Sequence, residues 1–370
     1  MIKKALPEKF FGKHPNAMPL PDLIQVQLDS FEWFRDKGLK ELFEEVSPIR
    51  DWSGKELELY FSDYYFDEPK YSESEAKKQN VSFEAPLRAK LRLLNKKTGE
   101  VKEQEIYLGE FPLMTERGTF IVNGVERVVV SQLIRSSGVF FTAQNVRGRK
   151  LFGAKIIPNR GAWLELETDW DNAIFVKIDR KRKVPITSLL RAFGLETDEK
   201  LLETFKDTDT HPDNKFIEAT IKRDVAHNKG EGFIEVYKRI RPGDLATVDN
   251  AQQMIEAMFF NFERYDLAKV GRWKFNLRLG LNTPLTKECR ILRLEDLVAT
   301  IKEIIRLNND PQAQPDDIDH LANQRVRALG ELLQNKLRIG LARMERIIKD
   351  RMTTLDIATI APAQLVNVRP

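Results

Sequence analysis

Residues 118–141 read GTFIVNGVERVVVSQLIRSSGVFF, and the stretch falls into three parts. Two apolar runs, FIV and VERVVV, flank an Asn-Gly at 123–124. A two-residue loop between strands needs φ > 0 at both central positions, which Asn and Gly tolerate best. This predicts a β-hairpin. Arg135 follows, then a Ser-Ser-Gly elbow and two phenylalanines. An Arg held by a hairpin and a small-residue turn is better preorganised for a phosphate or a base edge than one on a flexible loop. An ordinary surface cation fits the same letters.

The surroundings extend a sheet. ELELYF at 56–61 and APLRAKLRLL at 85–94 read as strands, the second alternating as a half-buried strand does. NKKTGE at 95–100 is a turn, and VKEQEIYLGEF at 101–111 returns as a strand. Before them, residues 23–46 read as one amphipathic helix, with Leu23, Val26, Phe31, Phe34, Leu39 and Leu42 on its apolar positions. Further on, strands are predicted at about 154–157, 162–168 and 173–178. Helices are predicted at ITSLLRAF (186–193) and at 251–264, the latter capped by Asp249 or Asn250. Leu294, Leu297, Val298, Ile301, Ile304 and Ile305 form the stripe of another helix. After a loop at 311–317, a long helix is predicted to run to about Arg351. Its apolar face is Val326, Leu329, Leu333, Leu337, Leu341, Met344 and Ile348. Strands and helices are thus both predicted along the chain, with a mixed middle at roughly 140–245.

The 370 residues are 42% hydrophobic and 31% charged, enough for two or three globular domains. No run approaches the roughly 18 apolar residues of a membrane span. The N-terminus has lysines but no apolar signal core, so a cytoplasmic protein is expected. A single cysteine, Cys289, and four scattered histidines offer no zinc site. Net charge is only +4, but it is unevenly spread. Leu321 to Arg351 holds eight Lys or Arg against three acids, and RGRK (147–150) and DRKRK (179–183) add basic density. Such stripes suit a nucleic-acid groove, although a solvated helix face explains them equally. DDID at 316–319 is the one dense acidic cluster. It could serve Mg²⁺, or it could compensate the dipole of the long helix predicted after it. No phosphate loop, Ser/His/Asp grouping or cysteine nucleophile accompanies it, so no catalytic residue and no metal ligand is assigned. Trp163, inside a predicted strand, is either core or a platform for an unpaired base.

FPLMTERGTFIVNGVERVVVSQLIRSSGVFF resembles the signature stretch of the bacterial RNA polymerase β subunit. Other blocks resemble the same family in order: LIQVQLDSFEWF, EPKYSESEAKKQNVSFEAPLRAKLRL, IIPNRGAWLELE, KIDRKRKVP, RYDLAKVGRWKFN and DDIDHLANQRVRALGELLQNKLRIGLARMER. The resemblance spans residues 10–370 and implies an N-terminal portion of that subunit. It implies an α+β fold: a protrusion domain of mixed sheet and helix formed by 1–131 and 328–370, with a mixed α/β lobe, 132–327, inserted in it. Together these would form the tip of one pincer of the DNA cleft.

The resemblance also implies roles. Arg135, Trp163, Asp179, Ile318, Asp319 and Arg327 match positions near the downstream fork and the unpaired nontemplate strand. Arg180 and Lys181 would face DNA, and Val130 would border the rifampicin pocket. The complex would be a nucleotidyltransferase whose catalytic Mg²⁺ is bound by β′, leaving this chain without cofactor or catalytic group. Its implied partners are the rest of β, β′, the α dimer, ω, sigma, DNA and nearby nascent RNA, with no membrane, in the cytoplasm beside the nucleoid. Ser137, Ala322 and Gln324 depart from the family pattern, which has Pro, Gly and Arg there; Ser137 is expected to loosen the elbow. Two other readings are a stand-alone DNA-binding or decoy module derived from the subunit, and a Mg²⁺-dependent phosphotransferase built on DDID.

Overall fold

A computed structural model of the chain describes residues 22–212, 214–355 and 360–368. The N-terminal stretch read for a signal, residues 1–21, which also opens the expected protrusion, lies outside the described residues, as does the chain end at 369–370. Helix at 41% and strand at 24% make the fold α+β. Two compact units emerge, one from residues 1–132 with 326–370, the other from 133–325.

The first unit is built on a four-stranded antiparallel sheet in the order Ile49–Arg50, Leu57–Phe66, Glu84–Asn95, Val101–Pro112. Along Glu84–Asn95 the alternate residues Ala85, Leu87, Ala89, Leu91 and Leu93 are buried, so the period-2 pattern selects the core face. Burying each leucine is worth about 1.5–3 kcal/mol. The helix predicted over 23–46 forms as Gln25–Trp33, a π-helical turn at Phe34–Gly38, and Leu39–Val46. The π turn re-registers the apolar face. Phe34 and Leu42 are sealed in the core, whereas Leu23 and Val26, expected on that face, are exposed. Phe34 stacks on Phe111 and Phe31 meets Phe120 edge-on.

The Asn-Gly hairpin is present, pairing Phe120–Val122 with Val125–Arg127, and Asn123 and Gly124 both have positive φ. Gly124 N also donates to Val81 O, bringing the turn so close that a Cβ there would lie 2.7 Å from Asn80 Cα. The hairpin is pinned by Glu126, whose carboxylate accepts from Lys77 and Thr119 and pairs with Arg117, holding its pKa at about 2. The second strand is shorter than VERVVV suggested: it ends at Arg127, and Val128 and Val130 are exposed.

The long helix spans Leu329–Thr354, not residues from about 318. Leu329, Leu341, Met344 and Ile348 are buried as expected, but Val326 lies exposed in a short strand, Gln324–Arg327. That strand pairs with Gln132–Arg135, nearly 200 residues away in sequence, and this non-local pairing overrides the helical spacing. DDID therefore does not precede the N-terminus of the long helix and does not compensate its dipole; a single short 3-10 turn, Leu321–Asn323, follows it.

The second unit holds a five-stranded antiparallel sheet, in the order Val184–Pro185, Ile174–Ile178, Leu164–Thr168, Arg149–Ile157, Gly138–Val146. Seven helices of the described residues complete it, including Ile186–Phe193, Val248–Phe259, Ala268–Leu279 and Leu294–Asn309. The Val248–Phe259 helix is capped by Thr247, whose side chain accepts from Asn250 N, not by Asp249 or Asn250. The Leu294 stripe faces the core as read, with Leu297, Ile301, Ile304 and Ile305 sealed. Among the described residues two arginines are fully buried, Arg272 against Asp296 and Arg191 near Asp224.

Candidate nucleic-acid interface

The clearest constellation lies at one end of the five-stranded sheet. Ile178–Lys181 forms a tight turn closed by Lys181 N donating to Ile178 O. Asp179 and Arg180 occupy its two central positions with φ of 47° and 59°. This is the conformation of an Asn-Gly turn, which Asp tolerates and Arg disfavours. An L-residue such as Arg in the left-handed region costs about 1 kcal/mol. The surroundings hold it there. Asp179 N donates to Trp163 O, and Trp163 N donates to Asp179 Oδ1 at 2.8 Å. The Arg180 guanidinium lies 5.6 Å from the centroid of the Trp163 ring. Trp163 stands just before its strand, half-buried, neither core nor free. Lys181 is exposed beside it. Strain of this kind persists where the surroundings over-determine it, commonly at functional sites.

A second cluster joins the Arg135 elbow to the 316–324 segment. Ser136 N donates to Asn323 O, Asp316 N to Phe141 O, and Phe141 N to Asp316 Oδ2. Ser136 and Ser137 are buried, so the elbow is packed. The four letters of DDID have separate roles. Asp316 is held by Phe141 N and Arg278. Asp317 accepts from Asp319 N and His320 N, forming an Asx turn. Ile318 is half-buried, and Asp319 is exposed with no partner for its carboxylate among the described residues. With Asp316 and Asp317 engaged by protein donors, the segment presents one free carboxylate. No group of three or more His, Cys, Asp or Glu among the described residues is arranged for a metal ion. Gln324 Nε2 donates to Asp319 O at 3.0 Å, bracing the loop at the position where the resembled pattern has an arginine.

A hydrogen-bonded path links the two clusters. Arg325 Nη2 donates to Asn159 Oδ1, and Asn159 N and Arg160 N both donate to Asp266 O. From Arg160 the chain reaches Trp163 in three residues. Tyr265, fully buried beside this path, has its hydroxyl pKa driven up by burial. Lys274, on the Ala268–Leu279 helix, has its pKa lowered by burial. Sequence reading missed that helix as a site element, because its partners lie far along the chain and carry no motif.

Other residues of the sequence reading sit as follows. Arg135 is half-buried with no side-chain partner among the described residues. Arg327, in the first unit, lies 3.3 Å from Glu331 one turn along. Val130, also in the first unit, is 73% exposed. Lys150 is not a free cation: it donates to Ala313 O and sits over Phe152.

Residues 130–327 match the family described as RNA polymerase Rpb2, domain 2. Over 361 residues, 97% of this chain, it is 51% identical to a DNA-directed RNA polymerase subunit beta of Syntrophomonas wolfei. Over 397 aligned residues, 99% of this chain, it is 47% identical to a DNA-directed RNA polymerase subunit beta of Chloroflexus aggregans. In both cases it covers 32% of the relative, so the chain spans about a third of the length of these relatives.

Proposed function

The chain belongs to the family of the bacterial DNA-directed RNA polymerase β subunit, as its N-terminal part, and we propose that it lines one pincer of the polymerase cleft and holds the unpaired nontemplate strand at the downstream fork. The observation that carries this reading is the strained Asp179–Arg180 turn locked against Trp163. A half-exposed indole beside a cation is a base-stacking platform with a phosphate partner. Arg135 and Asp319, both without side-chain partners among the described residues, supply a cation and an acceptor on the segments that the hydrogen-bonded path through Arg325, Asn159 and Arg160 connects to it. The 133–325 unit acts as the lobe, and 1–132 with 326–370 as the protrusion, with Val130 at the rifampicin pocket.

The chain contributes no catalytic group. Nucleotidyl transfer is carried by the assembled enzyme, with Mg²⁺ held by β′. The rest of β, the α dimer, ω and sigma complete the assembly, which works on DNA and RNA in the cytoplasm at the nucleoid. None of the helices among the described residues is long and apolar enough to cross a membrane. A phosphotransferase built on DDID is disfavoured by the engagement of Asp316 and Asp317.

The proposal is tested in reconstituted polymerase with a photoreactive base placed in the nontemplate strand at the fork. Crosslinks are expected on the peptides carrying Trp163 and Ile318–Asp319. Crosslinks confined to other regions of β or to β′ would remove the assignment.

A further inference from the structure

One face of the Ala268–Leu279 helix touches both segments of the second cluster. Gly271, Lys274 and Arg278 are three and four residues apart, so they stand one above another on that face. At the first level a Cβ on Gly271 would lie 2.5 Å from Ser137 Oγ, so only glycine admits the elbow. At the second, Lys274 Nζ donates to Ala322 O at 2.7 Å while its aliphatic stem lies against Gly138. At the third, Arg278 pairs with Asp316 and with Glu303, and its guanidinium lies 4.6 Å from the Phe141 centroid.

Asp316 and Ala322 bracket Ile318 and Asp319. Ser137, Gly138 and Phe141 belong to the chain that follows Arg135. The stripe thus grips both ends of the loop and the root of the elbow. We infer that Gly271, Lys274 and Arg278 form a platform that sets the Arg135 elbow and the Ile318–Asp319 loop in register, with Lys274 as the positioning residue for the loop; its consequence for base reading rests on the nontemplate-strand role of Asp319.

Lys274 is the adjustable element of the three. Arg278 is fixed by two carboxylates, whereas Lys274 reaches the loop through one charged hydrogen bond to a main-chain oxygen. Without that bond, the 317–322 backbone is held by contacts within 317–324: the Asx turn, Asn323 Nδ2 on Asp317 O, Ala322 N on His320 Nδ1 and the Gln324 brace, none of which ties the loop to the helix.

The test uses reconstituted polymerase carrying Lys274→Met, Lys274→Arg or Asp319→Ala. Two quantities are read: amide exchange over 317–324, and the ratio of complex stability on forks with guanine or adenine at the tested nontemplate position. Lys274→Met is expected to raise exchange over 317–324 roughly ten-fold, the loss expected for one charged hydrogen bond. Exchange in the Leu164–Thr168 strand is expected to stay unchanged, and the guanine-to-adenine ratio to fall toward that of Asp319→Ala. Lys274→Arg is expected to restore both. In an Asp319→Ala background Lys274→Met is expected to change the ratio no further, because the two act on one contact. Unchanged exchange over 317–324, or a rise spread across the whole unit, overturns the platform. If Asp319→Ala alone leaves the ratio intact while Lys274→Met still loosens 317–324, the platform is supported and the base-reading role of Asp319 is lost.

Discussion

Asp296→Ala is expected to destabilise the 133–325 unit by about 3–5 kcal/mol, the range for breaking one side of a buried ion pair. Arg272 is fully buried, and its Nη1 and Nη2 donate to the two oxygens of Asp296 at 2.6 and 2.9 Å. Nη2 also donates to Ile291 O. Asp296 in turn accepts from Arg293 N at the start of the Leu294–Asn309 helix. Removing the carboxylate strands a guanidinium away from water and uncaps a helix together. Joint replacement, Arg272→Met with Asp296→Leu, is expected to recover much of the loss, because an apolar pair leaves no unpaired charge. Urea unfolding of the purified chain, followed by amide exchange resolved to 133–325, measures both. A loss below about 1 kcal/mol for Asp296→Ala would mean that water reaches the pair and that this account of the unit's core is wrong.

Trp163→Ala is expected to weaken fork complexes by about 1–3 kcal/mol, with nearly the same loss whichever base occupies the nontemplate strand, since every base has a π face. Trp163 is half-buried and precedes its strand, so its truncation leaves the Leu164–Thr168 ladder in place. It also releases the Arg180 guanidinium from the indole. Arg180→Gly separates the two contributions: glycine accepts the left-handed φ without strain, so the turn survives while the cation is lost. Complex lifetimes on competitor challenge, measured across four templates that differ at one nontemplate base, give the result. A base-dependent loss, or none, contradicts a stacking platform.

Local chemistry was legible in the sequence where it alone decides structure. Asn123-Gly124 declared its hairpin, and Ala85 to Leu93 declared the buried face of a strand. The Leu294–Asn309 stripe likewise declared a helix. What failed depended on partners far along the chain. Gln324–Arg327 carried helical spacing through Val326, yet pairs as a strand with Gln132–Arg135. Asp316 looked like a metal or dipole residue, but its partners are Phe141 N and Arg278. The Asp179–Arg180 turn has the geometry of Asn-Gly without its letters, so no turn signal marked it. The Gly271, Lys274 and Arg278 stripe was invisible for a similar reason: its meaning lies in a serine hydroxyl, a carbonyl and a carboxylate that only the fold brings near. Trp163 was singled out by its place in a strand pattern and Asp179 and Arg180 through family resemblance, and the structure brings the three into contact.

The most direct test of the nontemplate-strand role is the base preference of Asp319. An ionised carboxylate only accepts hydrogen bonds. The Watson–Crick edge of guanine offers two adjacent donors, N1–H and the exocyclic amine, whereas adenine, cytosine and thymine each offer one. Asp319 is exposed, its carboxylate is free among the described residues, and its backbone is braced by Asp317 and Gln324. Polymerase reconstituted with wild-type or Asp319→Ala chain is compared on forks differing only at the nontemplate base, at two Mg²⁺ concentrations. The wild type is predicted to favour guanine by roughly five-fold or more, the lower end of discrimination for a two-bond contact, and Asp319→Ala to flatten that preference at both concentrations. A guanine preference that survives Asp319→Ala, or a loss that follows Mg²⁺ in place of the base, would contradict the account.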